Sequence, residues 1–287
     1  MIPKFRKGRQ ILNKYKGTQL MNMMNRLLLA AVATGLLTGC ITSKEIIVGR
    51  DENGNEIVRK ADDIDYEKAS LARINLAYSF MQQREMSSAK ENLNIAESYS
   101  PNLEALHLAW GRYYDIVGDY GNSEKKYQLA IKEYPESGMS YTHYGSFLCS
   151  RGRRDEGLNN LLKAVSIPKF AQMSMAYEAA ATCAYEAGKI DESRKYFEQA
   201  MSYGGNAPSL LFNYATFSFE NGDYEKADRL MRNYDMFQHR DTPQTLFLKI
   251  RISQKMGEYA SSEIYGRKLL KVFPKSDEAK KFKAGDY

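Results

Sequence analysis

Residues 104–137, EALHLAWGRYYDIVGDYGNSEKKYQLAIKEYPES, decide the fold. Trp110 and Tyr114 stand about one helical turn apart with Gly111 between them, so the first half reads as a helix carrying large and small side chains on one face. Gly118 comes where that helix must end, and a glycine there takes the positive φ that a helix C-terminus commonly needs. Small Ser123 and Ala130 mark one face of a second helix, which Pro135 stops. The same marks recur outward in both directions. With Arg84 as the first member, Gly118, Gly152, Gly188, Gly222 and Gly257 follow at spacings of 34, 34, 36, 34 and 35. Five residues after each lies a small side chain (Ala89, Ser123, Gly157, Ser193, Ala227, Ser262), and seven further on come Ala96, Ala130, Ala164, Ala200, then Tyr234 and Leu269. Pro101 and Pro135 are 34 apart, and Pro274 falls at the same phase.

This period resembles the tetratricopeptide repeat, with small residues at phases 8, 20 and 27 and proline near 32. Ala77, Gly111, Gly145, Ala181 and Ala215 at phase 8 let helix A of each repeat approach the small phase-20 residue of helix B. Bulkier Trp110, Tyr114, Tyr144, Leu148 and Tyr214 fill the space around them. The register gives six repeats, 70–103, 104–137, 138–171, 174–207, 208–241 and 243–276, with two extra residues after the third. The expected architecture is all-α: a right-handed superhelical solenoid of six helix pairs over 70–276, followed by a C-terminal tail, 277–287. Ser218 at phase 11 of the fifth repeat and Ile250 at phase 8 of the sixth depart from the pattern. The sixth therefore reads as a terminal cap.

The 287 residues are 43% hydrophobic and 26% charged, enough for a real core. A mean hydropathy of -0.55 excludes a multi-spanning membrane protein. The net charge of +6 is misleading, because residues 1–39 hold seven basic residues and no acidic one, which leaves 34 basic against 35 acidic in the rest. No basic groove for nucleic acid is implied. After Arg26 the apolar run Leu27–Leu37 is too short to span a bilayer comfortably and follows a basic flank, as an export signal does. Its end, Leu37-Thr38-Gly39-Cys40, resembles the lipobox of bacterial lipoproteins. By that resemblance residues 1–39 are a cleaved signal peptide and Cys40 carries an N-acyl diacylglyceryl lipid, with no other cofactor expected. Several acyl chains at about 0.8 kcal/mol per buried CH2 anchor firmly. Ile41 rather than Asp at the next position favours the outer membrane, facing the periplasm. Met21, Met23 and Met24 sit just before the apolar run, so translation is expected to begin at one of them, with 1–20 an artefact. Residues 41–65, rich in Asp, Glu, Asn, Lys and Gly, read as a flexible tether, and the segment of lipidated Cys40 and tether is bounded at 40–69, where the repeats take over. A coil of that length spans on the order of 25–30 Å.

Phases 2, 5, 9, 12 and 13 of helix A are expected to line the concave face. In the first two repeats they place Leu71, Ile74, Tyr78, Met81, Leu108, Arg112 and Ile116 there, a largely apolar set that reads as a trough for a partner segment. A charge at Tyr78 or Leu108 should then abolish binding and leave helicity intact. Later repeats offer a more mixed set, including Glu178, Glu186, Phe219, Arg251 and Lys255. The alternatives are that residues 41–69 cover the trough or that the register slips by one.

Cys149 and Cys183 stand at phases 12 and 10 of neighbouring A helices. An exported protein meets an oxidising compartment where such a pair can bridge, provided the Cα atoms lie within about 7 Å; otherwise they are two small buried hydrophobes. The bridge is the expected reading. His107, His143 and His239 are scattered, and neither a metal-binding spacing nor a nucleophile or phosphate-loop motif exists. Neither catalysis nor a small-molecule substrate is expected. Arg151-Gly152-Arg153-Arg154, the densest basic run of the body, reads as a solvated turn, with an acidic docking surface as the sharper alternative.

Tyr144-Gly145-Ser146-Phe147-Leu148-Cys149 and Gly152, then Ala181-Thr182-Cys183-Ala184 and Gly188, with Phe247–Ile252 and the closing Phe273-Pro274-Lys275-Ser276, carry a more specific likeness. Together with the lipobox they resemble the type IV pilus biogenesis/stability lipoprotein, the pilotin-like partner of the outer-membrane secretin. That resemblance covers nearly all of 40–280. It implies a lipid-anchored module, required for twitching motility, that binds the secretin and assists its localisation or multimerisation. Another envelope scaffold, for barrel-protein insertion or cell-wall synthesis, would show the same lipid and stacked helices without the paired cysteine motifs.

Overall fold

The computed structural model describes residues 45–50, 52, 54, 56–60, 65–237 and 240–287; the expected signal peptide, Cys40 and His239 lie outside them. Twelve helices form six consecutive pairs: α1 (Tyr66–Gln82) with α2 (Met86–Tyr99), α3 (Glu104–Ile116) with α4 (Tyr120–Glu133), α5 (Gly138–Ser150) with α6 (Arg154–Ser166), α7 (Met173–Glu186) with α8 (Ile190–Ser202), α9 (Pro208–Glu220) with α10 (Tyr224–Phe237), and α11 (Pro243–Lys255) with α12 (Tyr259–Val272). Each packs most heavily on its own partner and then on the next pair, as stacked repeats do.

The turn between the helices of each pair shows why the period is readable. Gly118, Gly152, Gly188, Gly222 and Gly257 all have φ between 75° and 83°. In the first repeat Arg84 holds the same left-handed conformation at φ 63°, where a β-carbon is unfavourable. Close approach inside the pairs accounts for the small residues. A β-carbon at Gly111 would lie 2.6 Å from the Tyr127 ring, and one at Gly145 would lie 2.8 Å from the Gly157 carbonyl oxygen. Phase 20 also does something that size alone does not convey. The Ser123 hydroxyl donates to the Gly111 carbonyl at 2.8 Å, and Ser193 donates to that of Ala181 at 2.9 Å. Both hydroxyls are buried, so each bond fixes helix B onto helix A at a carbonyl already used within its helix.

Two segments differ from the sequence reading. The expected flexible tether contains an antiparallel hairpin, β1 (Glu45–Arg50) with β2 (Glu56–Lys60), paired from Glu45↔Lys60 to Arg50↔Glu56 with an irregularity between Ile47 and Gly49. The β-branched runs Ile46-Ile47-Val48 and Ile57-Val58 flank Asn53-Gly54, and Gly54 has φ 82°; polar composition hid a hairpin signature. The expected C-terminal tail is mostly a helix, α13 (Asp277–Ala284). Ser276 accepts from the Ala279 amide at its start, Lys281 and Lys283 occupy its last turn, and Gly285 caps it at φ 74°. Ala279 is fully buried with Leu246, Ile250 and Leu269, so the bulky Ile250 helps form the surface that α13 covers.

Candidate functional site

The residues expected to line the first part of the concave face divide in two. Leu71 and Arg112 are exposed, while Tyr78 and Ile116 are half-buried at the edge of the core. Ile74, Met81 and Leu108 are not groove residues: they are only 2%, 4% and 4% exposed. Ile74 and Met81 pack with Ala109, Trp110 and Tyr113, and Leu108 packs with Tyr127, Tyr144 and Phe147. The reason is the contact of each A helix with the next one, which takes up these phase-5 and phase-12 side chains. What remains is a narrower apolar strip, Leu71, Tyr78 and Ile116, beside the Arg112 guanidinium that donates to Asp115 at 3.2 Å. Burial pushes the Tyr78 phenol up to about 12 although Arg112 opposes it, so the ring stays neutral.

In the middle of the groove Cys149 and Cys183 form a disulfide between α5 and α7, with Cα atoms 5.6 Å apart. They line a cavity of about 400 Å³ with Ser146, Thr182, Glu178 and Asn213. Glu178 accepts from Asn213 at 2.9 Å and from Ser209 at 3.3 Å. Burial raises its pKa more than these bonds lower it. The distal end carries cations on aromatic rings: the Arg251 guanidinium is 4.4 Å from the Phe219 ring centre and the Lys281 ammonium 6.0 Å from that of Phe247. The sequence reading named Arg251 and Lys255 but missed Lys281, Asp286 and Tyr287, which line the same cavity of about 650 Å³. The Gly285 cap after an Ala279–Phe282 spacing was the available signal.

Two of the three arginines in the basic run at the α5–α6 turn are engaged within the molecule. Arg153 pairs with Glu124 at 2.6 Å and Glu156 at 2.7 Å, and Arg151 lies 4.1 Å over the Tyr120 ring. His107 is buried and contacts Glu133 at 2.8 Å. Among the described residues no group of three or more His, Cys, Asp or Glu side chains could hold a metal, and no helix is long and apolar enough to cross a membrane.

Stacked helix pairs that offer a surface of side chains and, among the described residues, no reactive constellation make the solenoid fold of tetratricopeptide-repeat proteins. The chain has this fold in common with a thermophilic repeat protein of Thermus thermophilus, at a TM-score of 0.55 and 13% identity over 66% of this chain and 99% of that one. More particularly, it is similar to the type IV pilus assembly protein PilF of Pseudomonas aeruginosa, 23% identical over 86% of this chain and 94% of that one. The solved PilF structure superposes at a TM-score of 0.62 over 77% of this chain and all of that one. PilW, described as a widely conserved type IV pilus biogenesis factor, superposes at 0.64 with 20% identity over 74% and 97%. No protein-family profile matches the chain.

Proposed function

We propose that this protein is an outer-membrane lipoprotein scaffold of type IV pilus biogenesis, lipidated on Cys40, that binds the pilus secretin in its concave groove and assists its localisation or multimerisation. The observation that carries this reading is the likeness to a pilus assembly protein over 86% of the chain, spanning 94% of that relative. The Leu37–Cys40 motif supplies the address: acyl chains on Cys40 would hold the repeats at the membrane where a secretin multimer must assemble. In this account Leu71, Tyr78 and Ile116 take an apolar partner segment, and Arg112 gives it one polar anchor.

The test is the amount of SDS-resistant secretin multimer in the outer membrane with the gene deleted and restored. Loss on deletion, rescued by the wild-type protein and not by Cys40→Ala, is the expected result. Normal multimers without the protein would remove the secretin from the account.

A further inference from the structure

We infer that the cavity spanned by α5, α7 and α9 is a docking site for a basic side chain of a partner segment, an ammonium or guanidinium carried on an apolar stem. This deepens the scaffold reading and rests on the A helices being the protein-binding side. Every lining residue comes from those three A helices, in the third, fourth and fifth repeats. The charged groups of the lining are two carboxylates, Glu178 and Glu186, and it contains no Lys, Arg or His. Glu186 is exposed, at the end of α7. Glu178 is half-buried and fixed by two donors of the next A helix, Asn213 at 2.9 Å and Ser209 at 3.3 Å. No basic group offsets its burial. A carboxylate drawn partly out of water without a counter-ion is complementary to a cation that arrives with the ligand.

The neutral side chains of the cavity select the same ligand. Ser146, Ser150 and Thr182 each donate their hydroxyl proton to a carbonyl of their own helix, at 2.8, 2.7 and 3.1 Å, and Ser209 spends its own on Glu178. What these oxygens still offer is lone pairs. Apart from the second N–H of Asn213, the polar side chains of the lining therefore present acceptors, and ammonium and guanidinium groups are donors only. Arg151 donates to Ser150 at 3.3 Å, but its guanidinium lies over the Tyr120 ring of the second repeat and is not part of the lining. Met175, Ala179 and the Cys149–Cys183 bridge add apolar walls, and Met175 is exposed. A cavity of about 400 Å³ with such walls takes the methylene stem of a basic side chain as well as its charged head. Among the described residues no group of three His, Cys, Asp or Glu side chains could hold a metal, so the positive charge has to arrive on an organic cation.

The probe is a short fluorescein-labelled peptide of alternating Lys and Ser, titrated by anisotropy into the full chain. Its control is the same peptide with every lysine acetylated, which keeps the stem and removes the charge. Glu178→Gln, which preserves the shape of the side chain, is expected to weaken binding of the Lys/Ser peptide by about tenfold or more. Glu186→Lys is expected to do the same from an exposed position at the end of α7, where a cation suits the helix terminus. Circular dichroism should show both variants as helical as the wild type. Glu91→Gln, an exposed carboxylate of α2 outside the cavity, is expected to leave binding unchanged. Equal binding of the acetylated peptide, undiminished binding by Glu178→Gln and Glu186→Lys, or an equal loss in Glu91→Gln would each overturn the inference. The peptide offers nothing apolar to Leu71, Tyr78 and Ile116, and its binding is read without the secretin, so this site and the secretin reading fail separately.

Discussion

Cys149 and Cys183 are joined across the boundary between the third and fourth repeats, 34 residues apart in sequence and 5.6 Å apart at their Cα atoms. The bridge shares its space with a phase-20 residue. A β-carbon at Gly157 would collide with the Cys149 sulfur and sit 2.8 Å from the Gly145 carbonyl oxygen. Glycine at phase 20 of that repeat, where others have Ala or Ser, thus lets α6 close on α5 while the sulfur reaches α7.

A loop of 34 residues is closed by this bridge, and chain entropy assigns a cross-link of that size about 3–4 kcal/mol. Cys149→Ala/Cys183→Ala is expected to lower the urea midpoint accordingly, as is reduction of the wild-type protein. Equal midpoints for oxidised and reduced protein would contradict this.

Arg84 occupies a left-handed turn, φ 63°, that five glycines occupy elsewhere. Relief of that conformation, less the extra freedom glycine gives the unfolded chain, leaves a gain of about 0.5–1 kcal/mol for Arg84→Gly. Hydrogen exchange in α1 and α2 should slow in that variant. Gly118→Ala, at φ 83°, should instead destabilise by about 1 kcal/mol.

Burial holds the His143 pKa below its usual value, with Glu104 opposing and Arg112 reinforcing the shift, and its ring lies against Tyr127. A base whose pKa falls on folding binds fewer protons in the folded state. Its contribution is therefore intact above the unfolded value of about 6.5 and is lost as pH drops from there toward the lowered folded value. Thermal midpoints measured through this interval should fall with acid in the wild type and fall less in His143→Gln.

Lys249 on α11 is 6% exposed and is held by Asp235 at 2.6 Å and Asp241 at 3.1 Å. Burial pulls its pKa down, but the two carboxylates more than offset that and leave it raised. Lys249→Ala strips a buried cation from its partners and should cost about 3 kcal/mol. Denaturant unfolding monitored by circular dichroism would show it, and a cost under about 1 kcal/mol would mean that water replaces the pair.

Tyr78→Glu and Leu108→Glu should now behave differently. Tyr78 is half-buried at the edge of the core, so on the proposed scaffold reading its variant should keep its helicity and lose partner binding, measured by secretin capture. Leu108 lies within a cluster with Tyr144 and Phe147, so a carboxylate there should destabilise the second and third repeats by several kcal/mol. A stable Leu108→Glu protein would show that this cluster opens to water.

Gly118, Gly152, Gly188, Gly222 and Gly257 made the repeat legible because each is required by one backbone angle, a local demand that a sequence displays directly. Gly111 and Gly145 were legible for a related reason, since close helix approach excludes a β-carbon whatever surrounds it. The groove was legible only in outline. Leu71, Tyr78, Arg112 and Ile116 stay exposed or half-buried and so available to a partner, but Ile74, Met81 and Leu108 share helix positions that lie against the neighbouring helix. Which side such a residue takes depends on how the next A helix leans, and no periodicity within one helix records that.

The sequence by itself determined six helix pairs and their small-residue contacts, because helix propensity, positive φ and steric exclusion act over a few residues. Only the tertiary structure decided that Ser123 and Ser193 bond to carbonyls of the facing helix, that Lys249 joins two carboxylates from the α10 segment and the loop after it, and that Lys281 from α13 lines one cavity with Arg251 and Lys255. Each of these brings together groups from different elements, and their distances follow from the stacking of whole helices.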